Sequence, residues 1–324
     1  MKMKAIPFAL LLGLIFPLAV FGIMEQVIPS PVSEQPEQTA PTAQTQPAEN
    51  RTALIQTGDG TVQEMDLETY ITGVVLGEMP TDFEIEALKA QAVVARTFTA
   101  KRMVSPKHSQ AQVCVDSTCC QAYLSESDYI AKGGQQSAVD KVKSAVSETK
   151  DQILTYNGEL IEATYFSCSG GRTEDALAVW GTDIPYLQAT DSPGEEIATH
   201  YMDTVTFTVT EFQSLLGTSL SGTPASWIGD VTYTDGGGVK EMKLGAQTYT
   251  GTELRKQLGL RSTAFAMTIL GDTVTVTTKG FGHRVGMSQY GAEAMAVQGS
   301  TYDQILIHYY QGTSIENIDS VITT

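Results

Sequence analysis

A single glutamate, Glu78, stands among apolar residues and is the first candidate for chemistry in this chain. Leu76 precedes it, and Met79 and Pro80 follow it. Desolvation by such neighbours disfavours a charged carboxylate and raises its pKa, whereas nearby cations lower it. A carboxylic acid that is neutral at rest can donate its proton to a leaving group, which is general acid catalysis. Glu78 is therefore predicted to be catalytic, although the residues do not decide which influence on its pKa is larger.

Two cations follow at helical spacing. Lys89 and Arg96 are seven residues apart, so at about 100° per residue they lie on nearly the same helix face. The apolar face of that helix contains Ile85 and Leu88, close to opposite the cations. One interpretation is a binding surface for an anionic group of a substrate. The alternative is a solvated stripe of charge, with Glu78 as a surface acid.

The helix that carries these cations is predicted over residues 85–103. Its apolar positions recur at steps of three and four residues. Thr81 and Glu84 form a capping-box pattern, which predicts that the helix begins near Asp82. Glu78 is then expected in a loop just before the helix.

Several longer motifs occur one after another over roughly residues 55–318. The motifs are Gly77-Glu78-Met79-Pro80, Glu86-Ala87-Leu88-Lys89-Ala90-Gln91-Ala92, Ala95-Arg96-Thr97, Ser167-Cys168-Ser169-Gly170-Gly171-Arg172-Thr173-Glu174, Trp180-Gly181, Pro185-Tyr186-Leu187, Leu258-Gly259-Leu260-Arg261-Ser262-Thr263 and Gly282-His283-Arg284-Val285-Gly286-Met287-Ser288-Gln289-Tyr290-Gly291-Ala292. Together and in this order, these motifs resemble the stage II sporulation protein D family. Arg284 departs from the family pattern, because the family usually has glycine there.

The resemblance implies a lytic transglycosylase that cleaves peptidoglycan glycan strands lacking stem peptides. In such enzymes the C6 hydroxyl of the muramyl sugar replaces water, so one acid suffices and a 1,6-anhydro end is formed. Glu78 is the implied acid. The predicted substrate-binding residues are Lys89, Arg96, Tyr165, Ser169, His283, Gln289 and Tyr290. No cofactor is expected to be required for this chemistry.

The resemblance also implies a place and a partner. It predicts septal wall degradation and engulfment during endospore formation, with a cell-wall amidase as partner, in the space between mother cell and forespore. Two alternatives stay open: a non-catalytic activator of such an amidase, and a tethered glycan-binding module.

Three of the four cysteines lie in the loop after the motif helix, close to His108. A disulfide of Cys114 with Cys119 or Cys120 is one interpretation, since the chain is expected outside the cytoplasm. A structural zinc site is another, because thiolates and imidazole are ligands that zinc prefers. Some relatives carry Cys and His ligands at this place, where this chain offers Cys114 and Cys119. Free thiols are the third alternative.

The net charge of the chain and its N-terminal stretch indicate which partners and which cellular compartment to expect. The chain has 324 residues and a formal net charge of −17, which disfavours nucleic acid, whose affinity comes from neutralised phosphates. Lys2 and Lys4 precede an uncharged apolar stretch that ends at residue 24. This pattern predicts a single-pass membrane anchor over 1–24 with its N-terminus in the cytoplasm. A cleaved signal peptide is the alternative.

The remaining pattern predicts an α+β fold of helices and antiparallel sheet over residues 52–318. Residues 25–51 are rich in Pro, Gln, Glu, Thr and Ser, and we expect them to form a disordered tether. Asn157-Gly158 predicts a hairpin of residues 152–156 with 160–166. Residues 195–262 are interpreted as an inserted subdomain.

Overall fold

The structure, a computed structural model, describes residues 51–322. Helices and antiparallel sheets both occur there, so the α+β class is confirmed. Over this range no helix is both long and apolar enough to span a bilayer. The predicted anchor (1–24) lies outside the described residues, as does almost all of the predicted tether (25–51).

The helices and strands are as follows. The helices are α1 (Leu67–Glu78), α2 (Ile85–Val104), α3 (Glu126–Ala131), α4 (Gln136–Glu148), α5 (Ala176–Trp180), α6 (Val209–Leu216), α7 (Gly251–Gln257), α8 (Gln289–Val297) and α9 (Tyr302–Tyr309). The strands are β1 (Thr52–Gln56), β2 (Val62–Asp66), β3 (Val113–Cys114), β4 (Gln152–Tyr156), β5 (Glu159–Leu160), β6 (Tyr165–Phe166), β7 (Met202–Thr208), β8 (Ile228–Tyr233), β9 (Val239–Leu244), β10 (Gln247–Thr250), β11 (Phe265–Leu270), β12 (Thr273–Lys279), β13 (Met287–Ser288) and β14 (Ser314–Asn317).

Helix α2 lies at the centre of the first hydrophobic core. It packs against α1, α4, α8, α9 and β4, and most of its residues are buried all the way round. A helix buried on every side needs small residues where neighbouring elements approach, and Ala87, Ala92 and Ala95 are all buried. The prediction of one apolar face opposite a cationic face was therefore wrong.

The start of α2 also differs from the prediction. The helix begins at Ile85, and the capping box of Thr81 with Glu84 is not formed. Thr81 is hydrogen-bonded to the hydroxyl of Tyr129 instead, 2.8 Å away. The amide of Glu84 donates to the carboxylate of Glu293 in α8 at 2.6 Å. A side chain from a distant helix thus takes the place of the local cap, which the local pattern cannot show.

The loop predicted around Glu78 is partly wrong as well. Residues 67–78 form α1, whose N-cap is Asp66, and Glu78 is the last residue of that helix. The apolar run before Glu78 is long enough for a buried helix segment as well as for a strand or loop, and periodicity alone does not separate these.

Strand β6 connects the middle of the chain to its C-terminal motif. The hairpin at Asn157 and Gly158 is confirmed, and both residues have positive φ, 52° and 80°. Its second strand ends at Leu160, however, earlier than predicted. Tyr165 and Phe166 pair instead with β13, in parallel. This pairing brings the strand of Tyr165 beside the start of α8.

A second hydrophobic core is formed by the segment from β7 to β12. Its buried residues run from Phe212 to Val276, beyond residue 262 where the subdomain was predicted to end. The reason is the sheet: β12 pairs antiparallel with both β11 and β7, so the hairpin of β11 and β12 belongs to this core.

Candidate functional site

Glu78 is held by segments from two other parts of the chain. Its side chain is half-buried at the end of α1. Its Oε1 accepts hydrogen bonds from the amide of Ala122 at 2.6 Å and the hydroxyl of Tyr165 at 3.1 Å. Its Oε2 accepts no hydrogen bond from residues 51–322 that meets normal geometry. The carboxyl group is thus anchored through Oε1, and the side chain of Gln289 is a further hydrogen-bonding neighbour of the carboxyl.

The start of α8 closes the other side of this site. Gln289 Nε2 donates to the backbone oxygen of Glu78 at 3.2 Å. Tyr290 packs edge-on against Phe83, with ring centroids 5.0 Å apart. The predicted residues Tyr165 and Gln289 are therefore brought to Glu78, and Tyr290 of α8 packs against Phe83 in the loop between Glu78 and α2.

The surroundings of Glu78 shift its protonation toward the neutral acid. Burial raises the pKa of the Glu78 carboxyl above its usual 4.5, and hydrogen bonds from Ala122, Tyr165 and Gln289 oppose this rise. Neither predicted cation contributes. At a given pH the acid form is therefore more populated than in an exposed glutamate.

Arg96 is not placed where a substrate can reach it. Its side chain is fully buried, and it binds both carboxylate oxygens of Glu68, at 2.9 and 2.6 Å. It also donates to the backbone oxygens of Gln152 and Val146. Glu68 lies ten residues before Glu78 on α1, about 15 Å along the helix axis. The structure thus contradicts the expected surface position of Arg96 and makes it a structural cation.

Lys89 is also paired within the protein. Its ammonium group lies 2.8 Å from Glu86 and 2.7 Å from Glu148, and its side chain is 13% exposed. Its ion pairs are with these two residues and not with Glu78. A small part of it is exposed, so a substrate role stays a prediction for Lys89.

Ser169 is buried and supports a loop. The carboxylate of Glu195 accepts from the Ser169 amide and hydroxyl and from the Gly170 amide, all at 2.8 Å. Both Ser169 and Glu195 are fully buried. The predicted contact of Ser169 with substrate does not fit this position, because its hydroxyl is bonded inside the protein.

His283 lies near β6, but its ring contacts Phe166 of that strand, whereas Glu78 contacts Tyr165. The His283 ring packs edge-on against Phe166, with ring centroids 5.6 Å apart, and at a tilt against Trp180, with centroids 5.4 Å apart. Neighbouring residues of a strand point to opposite faces, so Phe166 faces away from Tyr165. Burial lowers the pKa of His283 to about 4. His283 is therefore neutral at pH 7 and is not brought into contact with Glu78.

Arg284, next to His283, joins the two cores. It has a positive φ of 66° and is 2% exposed. Its guanidinium donates to Glu174 at 3.0 Å, to Ser169 O at 2.6 Å and, in the β8–β9 turn, to Gly236 O at 2.6 Å. The departure from the family pattern thus supplies a buried ion pair, on a backbone conformation that glycine would adopt with less strain.

The cysteine loop brings four ligand atoms together. The Sγ atoms of Cys114, Cys119 and Cys120 and a ring nitrogen of His108 all lie within 4.8 Å of one another. His108 Nε2 is 3.4 Å from Cys120 Sγ and 3.8 Å from Cys119 Sγ. Tetrahedral zinc with bonds of about 2.0–2.3 Å requires ligand separations of about 3.5–3.8 Å, so the donor set fits. All four cysteines are free in the structure, which does not contain the disulfide that was one of the three alternatives for this loop.

Gln121 and Ala122 belong to this site, although the sequence pattern did not predict them. Ala122 contacts Glu78 through its backbone, so its side chain carries no signal. Gln121 is fully buried and its Oε1 lies 3.3 Å from the Tyr165 hydroxyl. The only available signal was the position of both residues directly after Cys120.

Comparison with known proteins adds the following. The family model described as Stage II sporulation protein matches residues 56–156. The chain is 42% identical over 275 residues to Stage II sporulation protein D of Bacillus subtilis (strain 168), covering 83% of this chain and 80% of that protein. It is 42% identical over 276 residues to the protein of that name from Bacillus amyloliquefaciens, with the same coverage. It is 30% identical over 301 residues to the Amidase enhancer of Bacillus subtilis (strain 168), covering 76% of this chain and 40% of that protein.

Proposed function

Because this chain belongs to the stage II sporulation protein D family, we propose that it is a lytic transglycosylase of the bacterial cell wall. Its substrate is the glycan strand of peptidoglycan that lacks stem peptides, and its product carries a 1,6-anhydromuramyl end. The observation that supports this most directly is the geometry of Glu78. It is a half-buried acid whose pKa is raised by burial and whose Oε1 is anchored by the amide of Ala122 and the hydroxyl of Tyr165.

The chemistry requires Glu78 to lose and regain one proton. The proton on Oε2 passes to the glycosidic oxygen while the bond from that oxygen to C1 of the muramyl sugar breaks. The C6 hydroxyl of the same sugar then bonds to C1, and its proton returns to Oε2. Glu78 is thus acid and then base, and no water is consumed.

The proposed reaction differs from hydrolysis in the number of carboxyl groups that it needs. Glycoside hydrolases generally use two carboxyl groups that flank the bond. In the proposed reaction a substrate hydroxyl replaces both the second carboxylate and the water, so Glu78 alone suffices.

The test is mass spectrometry of glycan strands, stripped of stem peptides, after incubation with purified protein. We expect anhydromuramyl ends from the unaltered protein and a loss of about 100- to 10,000-fold with Glu78→Gln. Glu241→Gln, an exposed acid on β9, is the matched control. Undiminished product from Glu78→Gln would contradict the proposed role.

The relation to an amidase enhancer supports a second candidate function, activation of a cell-wall amidase. An activator releases no glycan product alone but accelerates stem-peptide removal by the amidase. Adding a purified amidase to the same assay separates the two functions. If Glu78→Gln retains full acceleration and the unaltered protein yields no anhydro ends, the activator function is correct. A tethered glycan-binding module would do neither and would only be retained on glycan.

We further propose that the protein acts outside the cytoplasmic membrane, in the space between mother cell and forespore, during engulfment. This follows from the family and from the apolar N-terminal stretch. A protease accessibility assay on sporulating cells tests it, since an outward-facing domain is cleaved only when the outer surface of that membrane is exposed to protease.

For the cysteine cluster we propose a structural zinc ion held by His108, Cys114, Cys119 and Cys120. Zinc there would tie together the loop that ends at Ala122 and so support the position of Glu78. Elemental analysis should give about one zinc per chain, and Cys114→Ser should lose it. Cys168→Ser, at a buried cysteine outside the cluster, should keep it. Purified protein without zinc, or with zinc retained by Cys114→Ser, would contradict this site.

A further inference from the structure

The buried side chain of Gln121 has a defined orientation. Its Nε2 donates to Thr99 Oγ1 at 3.2 Å. The Thr99 hydroxyl itself donates to the backbone oxygen of Ala95 at 2.8 Å, so its only proton is used and it can only accept from Gln121. The amide oxygen of Gln121 is therefore the atom that faces Tyr165.

The hydroxyl of Tyr165 has one proton and two acceptors. Glu78 Oε1 lies at 3.1 Å and Gln121 Oε1 at 3.3 Å, nearly the same distance. Burial raises the pKa of Tyr165 well above its usual 10, so the phenol keeps its proton. At any moment it donates to one of the two oxygens and leaves the other without that bond.

We propose that Tyr165 is a hydrogen-bond switch for Glu78 and that Gln121 is its second position. When Glu78 carries its proton, the Tyr165 hydroxyl donates to Gln121. When Glu78 has given its proton to the glycosidic oxygen, the hydroxyl rotates and donates to the new carboxylate. It rotates back when the proton of the C6 hydroxyl returns to Oε2.

The amide of Ala122 defines which oxygen of Glu78 reacts. It donates to Oε1 at 2.6 Å in both states, because a backbone amide cannot turn away. With Oε1 occupied, the exchangeable proton belongs on Oε2. The switch then adds a second donor to Oε1 only in the charged state, so it stabilises that state more than the neutral one. Gln121 is a positioning residue here, since it acts through Tyr165.

This inference rests on the proposed function for its catalytic meaning, but its hydrogen bonds can be tested without activity. The ionisable groups that interact with Glu78 are Tyr165 and, on its own helix, Tyr70. Ala122 and Gln289 face it with neutral amides. A change in the pKa of Glu78 therefore measures a change in the hydrogen bond that the Tyr165 hydroxyl donates to it. It can be followed by the ¹³C carboxyl shift in NMR, assigned through the signal that Glu78→Gln removes.

The two single variants should shift this titration in opposite directions. Tyr165→Phe removes a donor to the carboxylate and should raise the Glu78 pKa by about half to one pH unit. Gln121→Met has a similar length but no acceptor, so it removes the position that the hydroxyl takes when Glu78 is neutral. It should lower the pKa by a similar amount. The double variant should match Tyr165→Phe alone, because Gln121 acts only through that hydroxyl.

Activity provides the second readout. At pH 7 we expect about tenfold lower kcat with Tyr165→Phe, with KM little changed, and no further loss in the double variant. A Gln121→Met titration that does not shift, or an additive effect in the double variant, would overturn the switch. If the unaltered protein makes no anhydro ends while the titrations shift as stated, the proposed function fails and the switch stands.

Discussion

Replacement of Arg96 distinguishes a substrate-binding cation from a structural one. Arg96→Met keeps a long side chain and removes the guanidinium. The variant loses the bidentate pair with Glu68 and two bonds to backbone oxygens. If Arg96 serves the fold, the loss appears in the free energy of unfolding and not in KM.

The size of the effect follows from burial. Breaking a buried ion pair by removing one partner costs about 3–5 kcal/mol, since the other charge stays without compensation. Arg96 is fully buried, but the Glu68 side chain is 20% exposed and keeps some water. We therefore expect the lower end, about 3 kcal/mol. At about 2–4 °C per kcal/mol for a domain of this size, Tm should fall by about 6–12 °C.

Lys89→Met is the matched control on the same helix. One of its partners, Glu148, is 48% exposed, and ion pairs near the surface contribute about 0–1 kcal/mol. Thermal unfolding by circular dichroism and anhydro-end release at 20 °C are measured for both variants. Arg96→Met with an unchanged Tm and a raised KM would refute the structural interpretation and restore the predicted substrate contact.

Three further predictions concern acidity and backbone strain. Glu78→Gln should be more stable than the unaltered protein at pH 7 in urea unfolding, because burial disfavours the carboxylate of Glu78. This gain should vanish below pH 4.5, where Glu78 is protonated in both the folded and the unfolded protein. Folding lowers the pKa of His283 from 6.5 to about 4, so between these pH values the unfolded chain binds more protons than the folded protein. The free energy of unfolding should therefore fall as pH drops through this range. A fall of the same size in His283→Gln would show that His283 is not its cause. Arg284→Ala and Arg284→Gly should each lose about 3–5 kcal/mol with the Glu174 pair. The glycine variant should be about 1 kcal/mol more stable than the alanine variant, and equal stability would argue against strain at φ 66°.

Sequence pattern predicted much of the fold where the signal is local. The hairpin at Asn157 and Gly158 follows from residues that tolerate positive φ. Helix α2 ends at Val104, one residue after the predicted end at residue 103. The α2 cap and the second strand of the 152–166 hairpin were mispredicted because their partners, Glu293 in α8 and the strand β13, lie more than 100 residues further along the chain.

The sequence by itself determined the family and the candidate acid, because ordered motifs and an acid among apolar residues are visible in one dimension. Only the tertiary structure decided which groups meet that acid. Ala122 and Tyr165 are 44 and 87 residues from Glu78 along the chain. Helical spacing specifies an angle around an axis but not the element that packs there, so it placed Arg96 on a face without revealing that Glu68 and α4 cover it. Burial depends on those neighbours, and burial separates a structural cation from one that can bind substrate.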